Sequence, residues 1–253
     1  MIDRILVPLD GSKRAESALG PAAAIVRPGG GTVVVFHALT PLAGRRFVRS
    51  ERDRAASYLS GIVRRLDARG IRVETRLVRG EASGQIARTA REARIDLVLL
   101  SGRGLGGALT GPLGSVAERV LETCPVPVLL LRGTGRIRRV LVALDEAPES
   151  LRVMAMVGET ARPLHAKVAL LQRGGRKEPA LARAVDVLAR LGIPSRIYLR
   201  SRRSPGTIEE VAGEVGADLV ALSTVPAGEA LGGEVEELLR HSERPLLLVR
   251  RAV

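Results

Sequence analysis

Two stretches of the chain combine residue types and spacing that suit chemistry. The first is Pro8-Leu9-Asp10-Gly11-Ser12, which closes an apolar run. The second runs from Ser101 through Gly102, Arg103 and Gly104 to Gly114-Ser115-Val116 and contains six glycines. Glycines let a loop wrap a ligand with main-chain N–H groups. Gly114-Ser115 then opens a helical pattern, and a helix start with a bare glycine and a hydroxyl beside it suits an anion. Phosphate is the natural guest. The loop lacks the Gly-Lys-Ser/Thr of a Walker loop. Its glycines follow the fourth strand of their unit, which also excludes the dinucleotide pattern. No Ser-His-Asp set and no carboxylate-plus-histidine pair stands near it, so the residues favour binding over catalysis. His37, His165 and His241 are far apart and no Cys-x-x-Cys exists, so no metal cage is expected. His37 reads as a hydrogen-bonded side chain near a strand end, and the one cysteine, Cys124, as packing.

The elements that must position these residues occur twice. Arg4-Ile-Leu-Val-Pro-Leu-Asp10 returns as Arg139-Val-Leu-Val-Ala-Leu-Asp145. Ile95-Asp-Leu-Val-Leu-Leu-Ser101 returns as Ala217-Asp-Leu-Val-Ala-Leu-Ser223, and proline-led apolar runs at Pro125 and Pro245 end each half. Three matches in one order indicate two homologous domains, 1–133 and 137–253, joined by Arg132-Gly-Thr-Gly-Arg136. In the first half the short apolar runs 5–9, 33–38, 71–78, 97–100 and 126–131 lack polar alternation, as strands buried on both faces do. Helical patterns at 16–26, 51–68, 83–93 and 115–123 lie between them, with Ser12 and Ser83 as expected N-caps and Gly70 as a C-cap. The second half repeats the order, with strands near 138–144, 166–172, 195–200, 218–223 and 245–250. The fold class is therefore α/β, two tandem doubly wound five-stranded parallel sheets. In such a sheet ligands bind past the carboxyl ends of the strands where strand order reverses, which is where the two stretches fall.

Composition narrows the field. The 253 residues are 45% apolar and 26% charged, which argues against disorder. No apolar run reaches membrane-span length and the start carries no secretory signal, so a cytoplasmic chain is expected. Net charge is +13, nearly all from arginine. That charge could attract polyanions, but two Tyr, two Phe and no Trp leave little for base stacking, so nucleic acid is not the expected partner.

These residues together resemble the universal stress protein family, and the whole chain resembles a tandem member. The carrying features are the opening Pro8-Leu-Asp-Gly-Ser12 and the family's nucleotide motif of Gly, two residues, Gly, nine residues, then Gly-Ser/Thr. Gly104 and Gly114-Ser115 match its later parts, while its first glycine falls on Ser101 with Gly102 next to it. Ser115-Val-Ala-Glu-Arg-Val-Leu and Cys124-Pro-Val-Pro-Val-Leu-Leu are also similar. The resemblance implies an adenine nucleotide alpha hydrolase-like, flavodoxin-like three-layer α/β/α fold and ATP in the first domain, accompanied by Mg²⁺. By that resemblance Pro8 and Leu9 line the adenine pocket, Asp10 meets ribose or adenine, and Ala38 contacts adenine. Ser101, Gly102, Arg103 and Gly104 sit by ribose and phosphates, and Gly114, Ser115 and Val116 hold the phosphates.

The second half keeps Asp145 but replaces Pro8 with Ala143 and Gly11-Ser12 with Glu146-Ala147. Its loop to Gly232-Gly233 is four residues shorter, and Glu229 in it and Glu234, Glu236 and Glu237 just after it are acidic. Those carboxylates would repel a triphosphate, so ATP is expected in the first domain only. The leading expectation is an ATP-binding regulatory protein in the stress response, with an unknown protein partner. A slow ATPase or nucleotide hydrolase and a non-binding stress scaffold stay open. The apolar fifth strands are edges that invite pairing, and the resemblance implies an intramolecular pseudo-dimer of the two halves, with a homodimer open. Arg45-Arg46-Phe-Val-Arg49 reads as a solvated loop, or as a lid over the nucleotide.

Overall fold

The central strands are built from consecutive residues that all lose contact with water. In the computed structural model, which describes residues 1–39, 49–102, 113–133, 136–144, 150–174, 179–201 and 205–250, the runs Ile5–Val7, Leu97–Leu99, Val140–Val142 and Leu219–Ala221 are fully buried. Successive strand side chains point to opposite faces, so both faces of these sheets must be covered by helices.

The chain divides into two compact units, Met1–Val128 and Leu129–Val253. The first contains β1 (Arg4–Pro8), α1 (Lys13–Glu16), α2 (Leu19–Val26), β2 (Thr32–Leu39), α3 (Arg49–Asp67), β3 (Arg72–Arg79), α4 (Ala82–Glu92), β4 (Leu97–Ser101) and α5 (Ser115–Thr123). Its strands lie in the order β3-β2-β1-β4, with all three pairs either side of β1 and β2 parallel. The helices α1 and α3 meet through Glu16, which accepts from Tyr58 (3.1 Å) and Arg65 (2.5 Å), while α4 packs on α5. The chain crosses from β1 to β2 to β3 on one side of β1, and β4 lies on the other. Strand order therefore reverses between β1 and β4. β5 (Val128–Leu131) starts just after Pro127, whose carbonyl accepts from Val98 N–H at 3.0 Å.

The second unit repeats the plan with β6 (Arg139–Leu144), α6 (Ser150–Ala161), β7 (Lys167–Arg173), α7 (Pro179–Arg190), β8 (Ser195–Arg200), α8 (Pro205–Glu214), β9 (Leu219–Thr224), α9 (Gly233–His241) and β10 (Leu246–Arg250). Its order is β10-β9-β6-β7-β8, again all parallel, and the reversal falls between β6 and β9. No helix among the described residues is long and apolar enough to cross a membrane.

The repeated Ile-Asp-Leu and Ala-Asp-Leu segments have the same job in both units. Asp96 Oδ2 accepts from the N–H groups of Asp3 and Arg4, each at 2.8 Å. Asp218 Oδ2 accepts from Arg138 (2.8 Å) and Arg139 (2.9 Å). Each carboxylate pins the start of one central strand to the start of the other. The preceding arginine then folds over the sheet: Arg4 forks onto Glu74 with two bonds of 2.7 Å and donates through Nε to Ala93 O. The Arg4 guanidinium holds the Glu74 carboxyl below the usual carboxylate range despite the opposing effect of burial.

Two local expectations are corrected. The helical pattern over 16–26 is two helices, because Pro21 cannot donate to Ser17 O and its ring crowds that carbonyl. Ser83 does not cap α4. Glu81 does, accepting from Ser83 N (2.8 Å) and Gly84 N (2.7 Å), and the buried Ser83 hydroxyl donates to the same carboxylate. Ser12 caps α1 as expected, and Gly70 turns the chain after α3 at φ +71°.

Removal of either pinning carboxylate leaves two strand-start N–H groups without their charged acceptor. Asp96→Ala and Asp218→Ala should each lower the unfolding free energy by about 1–3 kcal/mol, measured by urea titration of the full chain.

Candidate functional site

Three strand ends and one helix start converge at the reversal in the first unit. Continuing the β1–β2 register sets Leu9 beside His37 and Asp10 beside Ala38; continuing the β1–β4 register sets Leu9 level with Ser101 and Asp10 level with Gly102. Hydrogen bonds carry this alignment past the strands. Leu9 N–H donates to Phe36 O at 2.8 Å, and His37 Nδ1 donates to Leu9 O at 2.8 Å. A carbonyl can only accept, so that ring nitrogen carries the proton. The chain then turns sharply. Gly11 lies at φ +90°, a region that favours glycine. Ser12 N–H donates to Asp10 Oδ1 at 2.9 Å, and the Ser12 hydroxyl caps α1 by accepting from Ala15 N at 3.0 Å.

The far side is the start of α5. Gly114 N–H donates to Gly102 O at 2.8 Å, which ties the helix start to the end of β4. Gly114 is the N-cap, with φ −79° and ψ 147°, and no side chain caps the helix. Its carbonyl accepts from Glu118 N (3.0 Å), and no described residue accepts from the N–H groups of Ser115, Val116 or Ala117. Ser115 and Val116 are exposed. Open amides at a helix start carry partial positive charge and suit an anion.

Of the residues singled out in the sequence, Pro8, Asp10, Ala38, Ser101, Gly102, Gly114, Ser115 and Val116 all lie around this point. Leu9 also lies there, but it is only 4% exposed and its N–H and carbonyl are both hydrogen-bonded to β2 residues, so it belongs to the core. Arg103 and Gly104, the Arg45–Arg46 stretch, and Asp145 to Ala147 lie outside the described residues. Cys124 is fully buried. Among the described residues no group of three or more His, Cys, Asp or Glu is placed to hold a metal ion.

One cluster beside the site was not legible in the sequence. The Tyr58 ring meets the His37 ring edge-on, with centroids 6.1 Å apart and planes at 64°. Its hydroxyl donates to Glu16, which also accepts from Arg65. Burial and the charge of Glu16, with a smaller contribution from Asp10, push the Tyr58 hydroxyl well above the ordinary tyrosine range. A protonated hydroxyl is what the bond to Glu16 requires. The one signal was Tyr58 itself, an aromatic residue in a chain with four.

The fold and this site define an open-sheet α/β protein with two tandem units and, in the first, a helix start with open amides at the strand-order reversal. The universal stress protein family model matches residues 1–132, and the chain belongs to that family. A Thermus aquaticus protein described as the universal stress protein in the QAH/OAS sulfhydrylase 3′ region is 31% identical over 145 residues, spanning 52% of this chain and all of its own. Universal stress protein YxiE of Bacillus subtilis is 26% identical over 148 residues, again 52% of this chain and all of its own. The crystal structure of a universal stress protein from Archaeoglobus fulgidus superposes with a TM-score of 0.79 at 18% identity and covers the whole of both chains, which extends the fold along the full length.

The raised Tyr58 hydroxyl sets a direction. The unfolded chain releases this proton near the ordinary value of 10.0 while the folded chain retains it. The stability it contributes is therefore complete below that pH and falls as pH rises above it. In a Tyr198→Phe background, which leaves Tyr58 as the single tyrosine, ultraviolet titration should show tyrosinate appearing only above the free-tyrosine range or together with loss of the fold.

Proposed function

We propose that this protein is an ATP-binding regulatory member of its family that holds one nucleotide, in domain 1–133, and that domain 137–253 is a degenerate copy. The carrying observation is the start of α5. Three successive N–H groups without a described acceptor face outward at the strand-order reversal, fixed to β4 by the Gly114–Gly102 bond. A polyphosphate supplies acceptors for such groups. Asp10 and Ala38, level with each other at the ends of β1 and β2, suit the ribose and the base, and the Asp10–Ser12 turn fixes the carboxylate.

The residues present fit a nucleotide whose metal arrives with it. Asp10 and, in the first turn of α5, Glu118 are the carboxylates near the strand-order reversal among the described residues, and no group of three or more ligands is gathered there to make a Mg²⁺ cage. Mg²⁺ would therefore be carried on the phosphates, where it supplies charge neutralisation. Asp10 spends one oxygen on the Ser12 N–H, which suits it to orienting a ligand more than to activating water. Binding at the start of α5 would change the surface offered to a protein partner.

Calorimetric titration of the full chain with Mg-ATP tests this reading. One site per chain is expected, and mass spectrometry of ligand released from freshly purified protein should find adenine nucleotide. Ser115→Glu should lower the affinity at least tenfold and leave the fold intact, because a carboxylate in the first turn repels phosphate yet favours the helix. Two equivalent sites, or none, would overturn the proposal.

A further inference from the structure

The second unit fills the same place with its own side chains. The repeated segments equate Arg4 with Arg139, and the strand registers then equate Phe36 with Leu171, His37 with Gln172 and Ala38 with Arg173. On the other side, Gly114 and Gly232 are both N-caps with nearly the same backbone angles, φ −79° and ψ 147° against φ −63° and ψ 148°. Val116 is thereby equated with Glu234. Arg173 and Glu234 are joined by a two-pronged ion pair: Nη1 donates to Oε1, and Nη2 donates to Oε2 at 2.9 Å. Arg173 is 8% exposed and Glu234 32%. In the first unit the two positions hold a methyl group at Ala38 and the exposed side chain of Val116.

We propose that the Arg173–Glu234 pair is a built-in occupant of the second unit's crevice, joining the end of β7 to the first turn of α9 across the ground a nucleotide would take and so excluding one. The inference rests on the reading of the first crevice as a nucleotide site. It identifies which residues set the difference between the two units.

The chemistry favours the internal partner over an external one. Glu234 is delivered by the helix whose start it occupies, so its effective concentration at Arg173 is set by the fold and not by solution. A planar guanidinium meeting a carboxylate through two parallel bonds is the strongest geometry such a pair has. A triphosphate that displaced it would gain the guanidinium but would then lie against the freed Glu234, whereas Glu236 in the same first turn has a counterpart in Glu118 of α5 and does not set the two units apart. Like charges held at contact with the phosphates oppose entry. The same carboxylates complement the positive end of α9 that a phosphate would otherwise neutralise.

A reciprocal exchange in the full chain tests this. Ala38→Arg with Val116→Glu builds the pair into the first unit. Arg173→Ala with Glu234→Val gives the second unit the first unit's residues. With Mg-ATP as the probe, the first exchange should lower affinity at least a hundredfold, and its melting temperature should exceed that of either single variant. The second exchange should add a further, weaker site per chain. Hydrogen exchange of the α9 first turn gives an independent measure in case that exchange impairs folding: Arg173→Ala alone should speed it at least tenfold. The proposal falls if the first exchange, folded by circular dichroism, binds Mg-ATP like the parent, or if Arg173→Ala leaves α9 exchange unchanged. A parent chain that binds no ATP, beside a second exchange that binds one equivalent, would overturn the first-unit reading and sustain the pair. A parent that binds one equivalent, beside both exchanged chains that also bind one with parental affinity, would do the reverse.

Discussion

Two carboxylates that never face the crevice set its geometry. Asp96 and Asp218 each gather a pair of N–H groups at the start of a central strand. In a parallel pair the hydrogen bonds are slanted, and a shift of one residue turns every side chain to the opposite face. Fixing where β1 starts against β4 fixes where both end. That places Asp10 level with Gly102, from which the main chain reaches Gly114 and the open amides of α5. The same constraint in the second unit delivers Thr224 and the start of α9 to the equivalent place, and the crevices can be compared residue by residue.

The duplicated scaffold and the diverged crevices follow from where stability resides. Burying a Val, Leu or Ile side chain contributes about 1.5–3 kcal/mol, and the central strands of both units consist of such residues. The crevice residues Ser115, Val116 and Ala38 contribute little of that burial, so they can change without loss of the fold. One unit keeps small side chains and open amides. The other places an arginine and a glutamate there and closes the space on itself. An arginine at the Ala38 position, without a glutamate at the Val116 position, would bring in a charge with no partner, which is costly where it is shielded from water. The glutamate at the helix start makes the arginine tolerable, so the two belong together as a unit.

The parts of the fold that local physics dictates were readable from the chain. Continuous β-branched and leucine runs gave the central strands, and Ser12, Gly70 and Gly114-Ser115 marked element ends, because capping and left-handed turns depend on a few adjacent residues. Ser83 misled for an instructive reason. Serine is a good cap in general, but Glu81 lies two residues earlier, and its carboxylate reaches both open N–H groups with charge to spare. The apolar spacing over 16–26 suggested one helix and took no account of Pro21, which breaks it into α1 and α2.

By itself, the order of residues determined the repeat, which is a correspondence of segments and needs no contact, and the alternation of strand and helix and the anion-friendly helix start, which rest on local spacing and capping. Tertiary structure alone decided which side chains meet near the strand ends. His37 meets Tyr58 across two elements, and Arg173 meets Glu234 across 61 positions. Neither partner carries a local mark of the other. Such pairs depend on strand ends being brought level by the sheet, and the distance between two side chains on separate elements is set by the packing of everything beneath them.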